Sequence, residues 1–322
     1  MKAAIYTKYG SPEVLQLREV AKPTPKDNEI LLRISATAVN SGDVRLRKAD
    51  PFAVRFFFGL LKPKINILGS VFSGEVESVG KHVTQFKQGD QVFGHTNMNF
   101  GAYAEYICLP ENGSLAFKPV NISHEEAASI PFGGVTALFF TRKAMIKEKQ
   151  KVLVVGASGA VGTAAIQLAK SYGATVTGVC STANIELVKS IGADKVIDYT
   201  KEDFTRNGEI YDLIFDTVNT ISVSRSLRSL TKNGIMILSA AGLGEMLQGS
   251  WISKTSGKKV FTGVISHKAA DIIFLKTLIE TGRYKPVIDQ VYPLEQIAEA
   301  HAYVEKGHKK GNTIINNLKS KT

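Results

Sequence analysis

Three glycines raise the first chemical question. Gly156, Gly159 and Gly162 lie in VVGASGAVG, residues 154–162, between the apolar run KVLVVG and the helical pattern TAAIQLAKSY. A glycine-rich turn from strand to helix lets backbone N–H groups approach a pyrophosphate at the positive end of the helix. Here those groups belong to Ser158, Gly159, Ala160 and Val161. Read as G-x-G-x-x-G, the pattern has Ala157 in its first glycine position, an added methyl that a turn accommodates where the local φ is negative. Gly162 is expected to let the helix pack closely on the sheet. The GK[ST] ending of an ATPase-type phosphate loop is missing. The pattern points to a bound dinucleotide, with a ligand-free turn as the alternative.

The end of the second strand bears on which dinucleotide. An NAD site expects an acidic side chain about 20 residues further on, bonded to the ribose 2′-hydroxyl. In ATVTGVCSTAN, Cys180 and Ser181 stand there instead. Without a carboxylate a 2′-phosphate is not repelled, and Ser181, Thr182 and Asn184 can donate hydrogen bonds to it. Tyr199 closes the following strand and can pack against adenine. NADPH (NADP+) is therefore expected rather than NADH, although no lysine reinforces the turn.

A hydride-transfer enzyme must also polarise or protonate its acceptor. Catalytic zinc needs three protein ligands, and no C-x-x-C or H-E-x-x-H occurs among six histidines and two cysteines. His95 adjoins the TNMNFGAY turn, where a cleft and a surface loop compete as readings. His124 is expected to be solvated at a helix start, and His301 and His308 fall on a terminal helix and loop. No metal is expected. The simplest acceptor is then already electrophilic, a quinone or a conjugated enal or enone placed beside the cofactor. Two other classes stay open: a dinucleotide-binding regulatory or RNA-binding protein with little turnover, and a zinc-type alcohol dehydrogenase.

The elements that must position these residues fit a chain of 322 residues, long enough for two domains. The formal charge of +11 comes from dispersed lysines, with no zinc finger, RNP box or basic region, so specific nucleic-acid binding is not expected. The most apolar stretch, 127–140, holds Pro131 and two glycines, so no transmembrane segment is expected. Two cysteines and no evident signal peptide suggest the cytoplasm.

Residues 1–120 read as short strands with glycine-rich turns, a mostly β domain. Ser123 and Glu126 form a capping-box pattern, and Pro131 with Gly133-Gly134 is expected to interrupt the helix that starts there. From residue 151 the rhythm is strand–helix, as a parallel sheet requires. Two helices and GNTIINNL close the chain and are expected to return to the first domain. The fold class is thus α/β, with a Rossmann nucleotide domain over 121–265 inserted into a β-rich catalytic domain of 1–120 plus 266–322.

VNSGDVRLR (39–47), LGSVFSGEVESVG (68–80), FKQGDQVFG (86–94), GGVTAL (133–138), GASGAVG (156–162), IGADKVIDY (191–199) and the terminal LEQIAEAHAYVEKGHKKGNTII run in a familiar order. Together they resemble the medium-chain dehydrogenase/reductase superfamily, in its zinc-free quinone oxidoreductase and alkenal/enone reductase branch. The resemblance implies a GroES-like catalytic domain sharing a cleft with the Rossmann domain. It also implies that Ser41 and Ser70 stand where the zinc enzymes carry a cysteine and a histidine. Asn40 and Asp43 match active-site residues of the branch, Asn40 toward nicotinamide or acceptor and Asp43 either in catalysis or in orienting the next helix. Thr136, Asn219, Ala240, Ala241, Gly242 and Val264 match cofactor-contacting segments. Val71 replaces an acidic residue common in relatives, and Asn184 replaces a basic one. The resemblance further implies homodimers paired along 258–264.

On the acceptor side, DPFAVRFFFGLLKPKINILG (50–69) is rich in phenylalanine. Phe52 and Phe56, with Phe57, Phe58, Leu60 and Leu61, can wall a cleft for a flat or lipophilic acceptor. A short core helix, or a membrane contact flanked by Arg55, Lys62 and Lys64, are the other readings. Trp251, in QGSWISKTSGKK, is expected in a mobile loop over the same cleft.

Overall fold

The structure is a computed structural model that describes residues 1–263 and 265–317. The chain divides into two compact units: residues 1–132, 266–281 and the return from Pro286 form the first, and 133–265 with 282–285 the second. The first division falls at 132/133, twelve residues beyond the expected boundary at 120/121.

The first unit opens with β1 (Lys2–Ile5), antiparallel to β2 (Gln16–Glu19). Strand β3 (Glu29–Val39) follows, then helices α1 (Ser41–Lys48) and α2 (Val54–Phe58). Strands β4 (Val71–Val79), β5 (Gln91–His95), β6 (Tyr106–Pro110) and β7 (Ser114–Phe117) lead to the short helix α3 (His124–Ala128). Strand β3 is buried along most of its length because it faces two layers. Ile30, Leu32 and Ile34 pack with Phe72, Val76 and Val92, while the small Ala36 and Ala38 leave room for Ala128 of α3.

Ser123 caps α3 in a complete capping box with Glu126. The helix break then differs from expectation. It falls at Ser129, and α4 (Ile130–Ala144) runs unbroken through Pro131, Gly133 and Gly134. Pro131 occupies the first turn, where a backbone N–H has no helical partner to lose. Gly133 is there for close approach, since a Cβ would lie 2.4 Å from the carbonyl oxygen of Ala160.

The second unit carries β8 (Lys151–Val155), α5 (Ala160–Ser171), β9 (Thr175–Cys180), α6 (Ile185–Ser190), β10 (Lys195–Asp198) and β11 (Tyr211–Asp216). It ends with α7 (Val223–Ser226), β12 (Leu230–Leu238), α8 (Leu243–Thr255) and β13 (Lys259–Phe261). All pairings are parallel, in the order β10-β9-β8-β11-β12-β13. This is a doubly wound sheet whose order reverses between β8 and β11, the place where such folds bind ligands.

The chain then returns through α9 (Ala269–Glu280), β14 (Ile288–Pro293), α10 (Ile297–Glu305) and β15 (Asn312–Asn316). Strand β15 pairs antiparallel with β3 and parallel with β14, so the tail completes the first unit's sheet. The Rossmann domain is inserted within a β-rich GroES-like domain, as the sequence suggests. No described helix is long and apolar enough to cross a membrane.

Candidate functional site

The turn after β8 lies at the sheet's reversal. Its left-handed residue is Gly156 (φ +75°), one position before the fingerprint begins. A Cβ on Gly156 would sit 2.5 Å from Thr217 Oγ1 and 2.6 Å from Val218, both just after β11. Ala157 is fully buried and its N–H donates to Val179 at 3.0 Å, so its methyl sits against β9 without strain. Gly162 is fixed by contact, because a Cβ would lie 2.1 Å from the Gly156 oxygen. Gly159 differs: as N-cap of α5 (φ −80°) it has room for a side chain, an added Cβ making only an ordinary contact with the Gly156 oxygen at 3.6 Å. The first helical bond runs from the Thr163 N–H to Gly159 at 2.8 Å. The N–H groups of Ala160, Val161 and Gly162 precede it and have no helical acceptor.

Beside this turn, Asn184 Nδ2 donates to Ser158 Oγ (3.1 Å) and to Ser181 Oγ (3.2 Å). Three of the sequence-predicted cofactor residues therefore meet. Thr182 turns elsewhere, its hydroxyl donating to Asp198 Oδ2 at 2.5 Å. Its proton is thus not free for a phosphate. Asp198 also accepts from the N–H and hydroxyl of Thr200. The Thr182 bond above all, with Thr200, holds the Asp198 carboxyl below its ordinary pKa. Tyr199 lies immediately after β10, 57 % exposed, and donates its N–H to Cys180.

At the ends of β11 and β12, Asn219 is left-handed (φ +55°), with its N–H on Asp216 Oδ1 at 2.8 Å. It lines a 210 Å³ polar depression with Thr220, Ser222, Glu245 and Gln248. Ala240 and Ala241 follow β12 half-buried, and Gly242 caps α8, its N–H donating to Glu245 at 3.0 Å. Thr136 is buried in α4. Val264 lies outside the described residues. Trp251 overturns an expectation: it is on α8, not in a loop, and 65 % exposed. QGSWISKT continues a helix because nothing in it breaks one after Gly249, whose missing Cβ lets α8 lie on Val260.

In the first unit, Asn40 is the N-cap of α1 and its backbone N–H donates to Asp43 Oδ2 at 3.0 Å. Its Nδ2 reaches Ser70 Oγ at 3.3 Å, while its Oδ1 is buried without a partner. Asp43 is buried and also accepts from Tyr103 Oη at 3.0 Å. Burial raises its carboxyl to about 6, against the opposing pull of these donors. Asp43 thus orients α1. Ser41 begins the same helix and Ser70 is buried beside Asn40, hydroxyls that offer no thiolate or imidazole to a metal. Among the described residues no group of three or more His, Cys, Asp or Glu is placed to hold a metal ion.

Comparison with known proteins decides the lineage. Residues 26–119 match the alcohol dehydrogenase GroES-like domain and residues 191–315 the zinc-binding dehydrogenase family. The chain is 34 % identical to the chloroplast envelope quinone oxidoreductase homolog of Arabidopsis thaliana, across 98 % of both chains. It is 33 % identical to 2-methylene-furan-3-one reductase of Solanum lycopersicum, over 98 % of this chain and 79 % of that protein. The solved Escherichia coli quinone oxidoreductase complexed with NADPH superposes with a TM-score of 0.82 at 27 % identity, covering 98 % of this chain and 100 % of that one. The chain belongs to the medium-chain dehydrogenase/reductase superfamily, in its zinc-independent quinone and alkenal/enone oxidoreductase branch.

In this oxidoreductase the phenylalanine segment is not a core helix. Phe52 and Phe56 are 59 % and 69 % exposed and meet edge to face at 6.0 Å, while only Phe58 turns inward, against Phe100. Five helical residues have one inner face, and consecutive phenylalanines cannot all share it. His124 is half-buried rather than fully solvated, its Nδ1 lying 2.8 Å from Ser73 Oγ. His95 is buried, stacked on His267 with ring centroids 3.6 Å apart, and is no surface loop residue.

Sequence reasoning missed Asp198 and set Tyr103 aside as an ordinary strand residue. Asp198 faces Cys180 across the β9–β10 register, so its nearness to Thr182 needs the sheet. Tyr103 alternates like any strand residue, and only Gly69, where a Cβ would lie 2.5 Å from its ring, hints at a fixed position.

Proposed function

We propose that this protein is an NADPH-dependent reductase of quinones or α,β-unsaturated carbonyl compounds, working without a metal. The observation that carries the reading is the turn at 156–162, where Gly156 and Gly162 cannot bear a side chain while Gly159 has room for one. The residues fit a dinucleotide: the N–H groups of Ala160, Val161 and Gly162 hold the pyrophosphate, and Ser181 donates to the 2′-phosphate. When bound, NADPH supplies a hydride.

Asn40 is assigned to the nicotinamide or the acceptor, with its buried, unpartnered Oδ1 available for either. Ser41 and Ser70 cannot stand in for a Lewis acid, so the acceptor must be electrophilic by itself. Phe52 and Phe56 are assigned to a lipophilic acceptor. Thr136, Asn219, Ala240, Ala241, Gly242 and Tyr199 are assigned to the cofactor. The similarity to a quinone oxidoreductase homolog and to a 2-methylene-furan-3-one reductase supports this acceptor class.

The reading extends to a cytoplasmic homodimer along β13, which among the described residues pairs only with β12. Light scattering on the purified chain tests that part. The catalytic part is tested by NADPH and NADH against a quinone, an enal, an enone and a simple aldehyde, with products identified. Turnover of the aldehyde alone, or of none, overturns the reading.

A further inference from the structure

One side chain ties the phosphate turn to the end of the second Rossmann strand. Asn184 is 8 % exposed, and its two bonds to Ser158 Oγ and Ser181 Oγ use both amide protons. Its Oδ1 is buried with no protein partner. Each serine oxygen has one proton to give and lone pairs with which to accept. By accepting from Asn184, both hydroxyls keep their protons for another acceptor. Among the described residues no protein acceptor takes either proton. These two unspent protons adjoin backbone N–H groups that are also without helical acceptors.

We propose that Asn184 is a positioning residue for recognition of the 2′-phosphate. Its amide clamps Ser158 and Ser181 as acceptors and so turns both hydroxyl protons outward, Ser181 toward the 2′-phosphate and Ser158 toward the pyrophosphate. This deepens the NADPH reading and rests on it. Among the described residues no cation sits within this turn, and the exposed Lys201 ammonium pairs with Asp198 at 3.8 Å. Thr182 is committed to the same carboxylate. The chain therefore reads a dianion with neutral donors, held by an amide that does not touch it.

Calorimetry of adenosine 2′,5′-bisphosphate and of 5′-AMP binding to the full chain tests this directly, because the two ligands differ only in the 2′-phosphate. Asn184→Leu is expected to weaken bisphosphate binding roughly tenfold, the scale of one misdirected charge-assisted hydrogen bond, and 5′-AMP binding less. In a Ser181→Ala background the same substitution should add little. A merely structural role would weaken both ligands alike and add fully to Ser181→Ala, and that result overturns the proposal. Asn184→Asp keeps the size but can only accept, so it reverses both serine bonds. Should Asn184→Leu not fold, retained bisphosphate selectivity in Asn184→Asp overturns the proposal as well. A wild-type chain that binds the two ligands equally would instead overturn the NADPH reading itself.

Discussion

Tyr103 donates its phenolic proton to Asp43 Oδ2 at 3.0 Å, with both side chains buried and 60 positions apart in the chain. The same oxygen accepts the Asn40 N–H that starts α1. One carboxylate thus fixes a helix start to a distant segment. Asp43→Ala leaves a buried hydroxyl and a buried N–H without acceptors and is expected to cost about 3 kcal/mol by urea unfolding; Tyr103→Phe is expected to cost about 1 kcal/mol. With Asp43 a positioning group, activity per folded molecule should fall less than tenfold. A drop of several hundredfold at unchanged stability would return Asp43 to catalysis.

Gly162→Ala and Gly159→Ala should separate folding from binding. At Gly162 the new methyl meets backbone at 2.1 Å, so the nucleotide unit should melt several degrees lower and bind NADPH poorly. At Gly159 the methyl makes only an ordinary 3.6 Å contact with the Gly156 oxygen and φ is ordinary, so the melting temperature should hold within a degree or two. The NADPH dissociation constant should nonetheless rise about tenfold or more as the phosphate is held off. Unchanged affinity in Gly159→Ala would mean that the space at Gly159 is not the phosphate site.

Ser181→Asp places a carboxylate where the 2′-phosphate is assigned. The NADPH Michaelis constant should rise much more than that for NADH, by at least tenfold in ratio. Equal effects on the two cofactors would remove Ser181 from recognition.

Stability should fall as the solution is acidified below neutrality. Burial, helped by Arg47, holds His301 down at about 3, and burial holds His267 down at about 4, both against an ordinary 6.5. His95, stacked on His267, is lowered as well. A folded pKa below the unfolded one means that the unfolded chain binds more protons in between. Each contribution is therefore complete above about 6.5 and lost as pH falls toward 4 or 3. Asp43, raised to about 6, and Asp216, also raised by burial, work in the opposite sense, but these two carboxyls oppose three imidazoles. His301 alone should lower stability by about 2 kcal/mol at pH 5 relative to pH 7. His301→Leu, which also removes two unbonded ring nitrogens, should flatten the pH 7 to pH 5 difference in urea unfolding by about that amount. An unchanged difference would refute the role assigned to His301.

The phosphate turn was legible because its information is local. Gly156, Gly159 and Gly162 sit within seven residues, and a strand and a helix of clear periodicity bracket them. The capping box at Ser123 was legible for the same reason. The interruption expected at Pro131 was not, because whether a proline breaks a helix depends on how far it lies from the N-terminus. Here the preceding break at Ser129 places it in the first turn. Trp251 and the phenylalanine run show the same limit: residue type says what a side chain can pack against, and the fold says whether anything is there.

By itself the sequence determined the strand–helix rhythm of a parallel sheet, the dinucleotide turn and the lack of C-x-x-C and H-E-x-x-H spacings, since each depends on residue types at short spacing. Tertiary structure alone decided that Gly156, and not the fingerprint's first position, takes the left-handed conformation. It alone brought Asp198 to Thr182, Asn184 to Ser158 and Ser181, and His267 to His95. Those pairs are set by strand order and register. A hydrogen bond is made at about 3 Å whatever the number of residues between its partners, and no spacing in the chain encodes that distance.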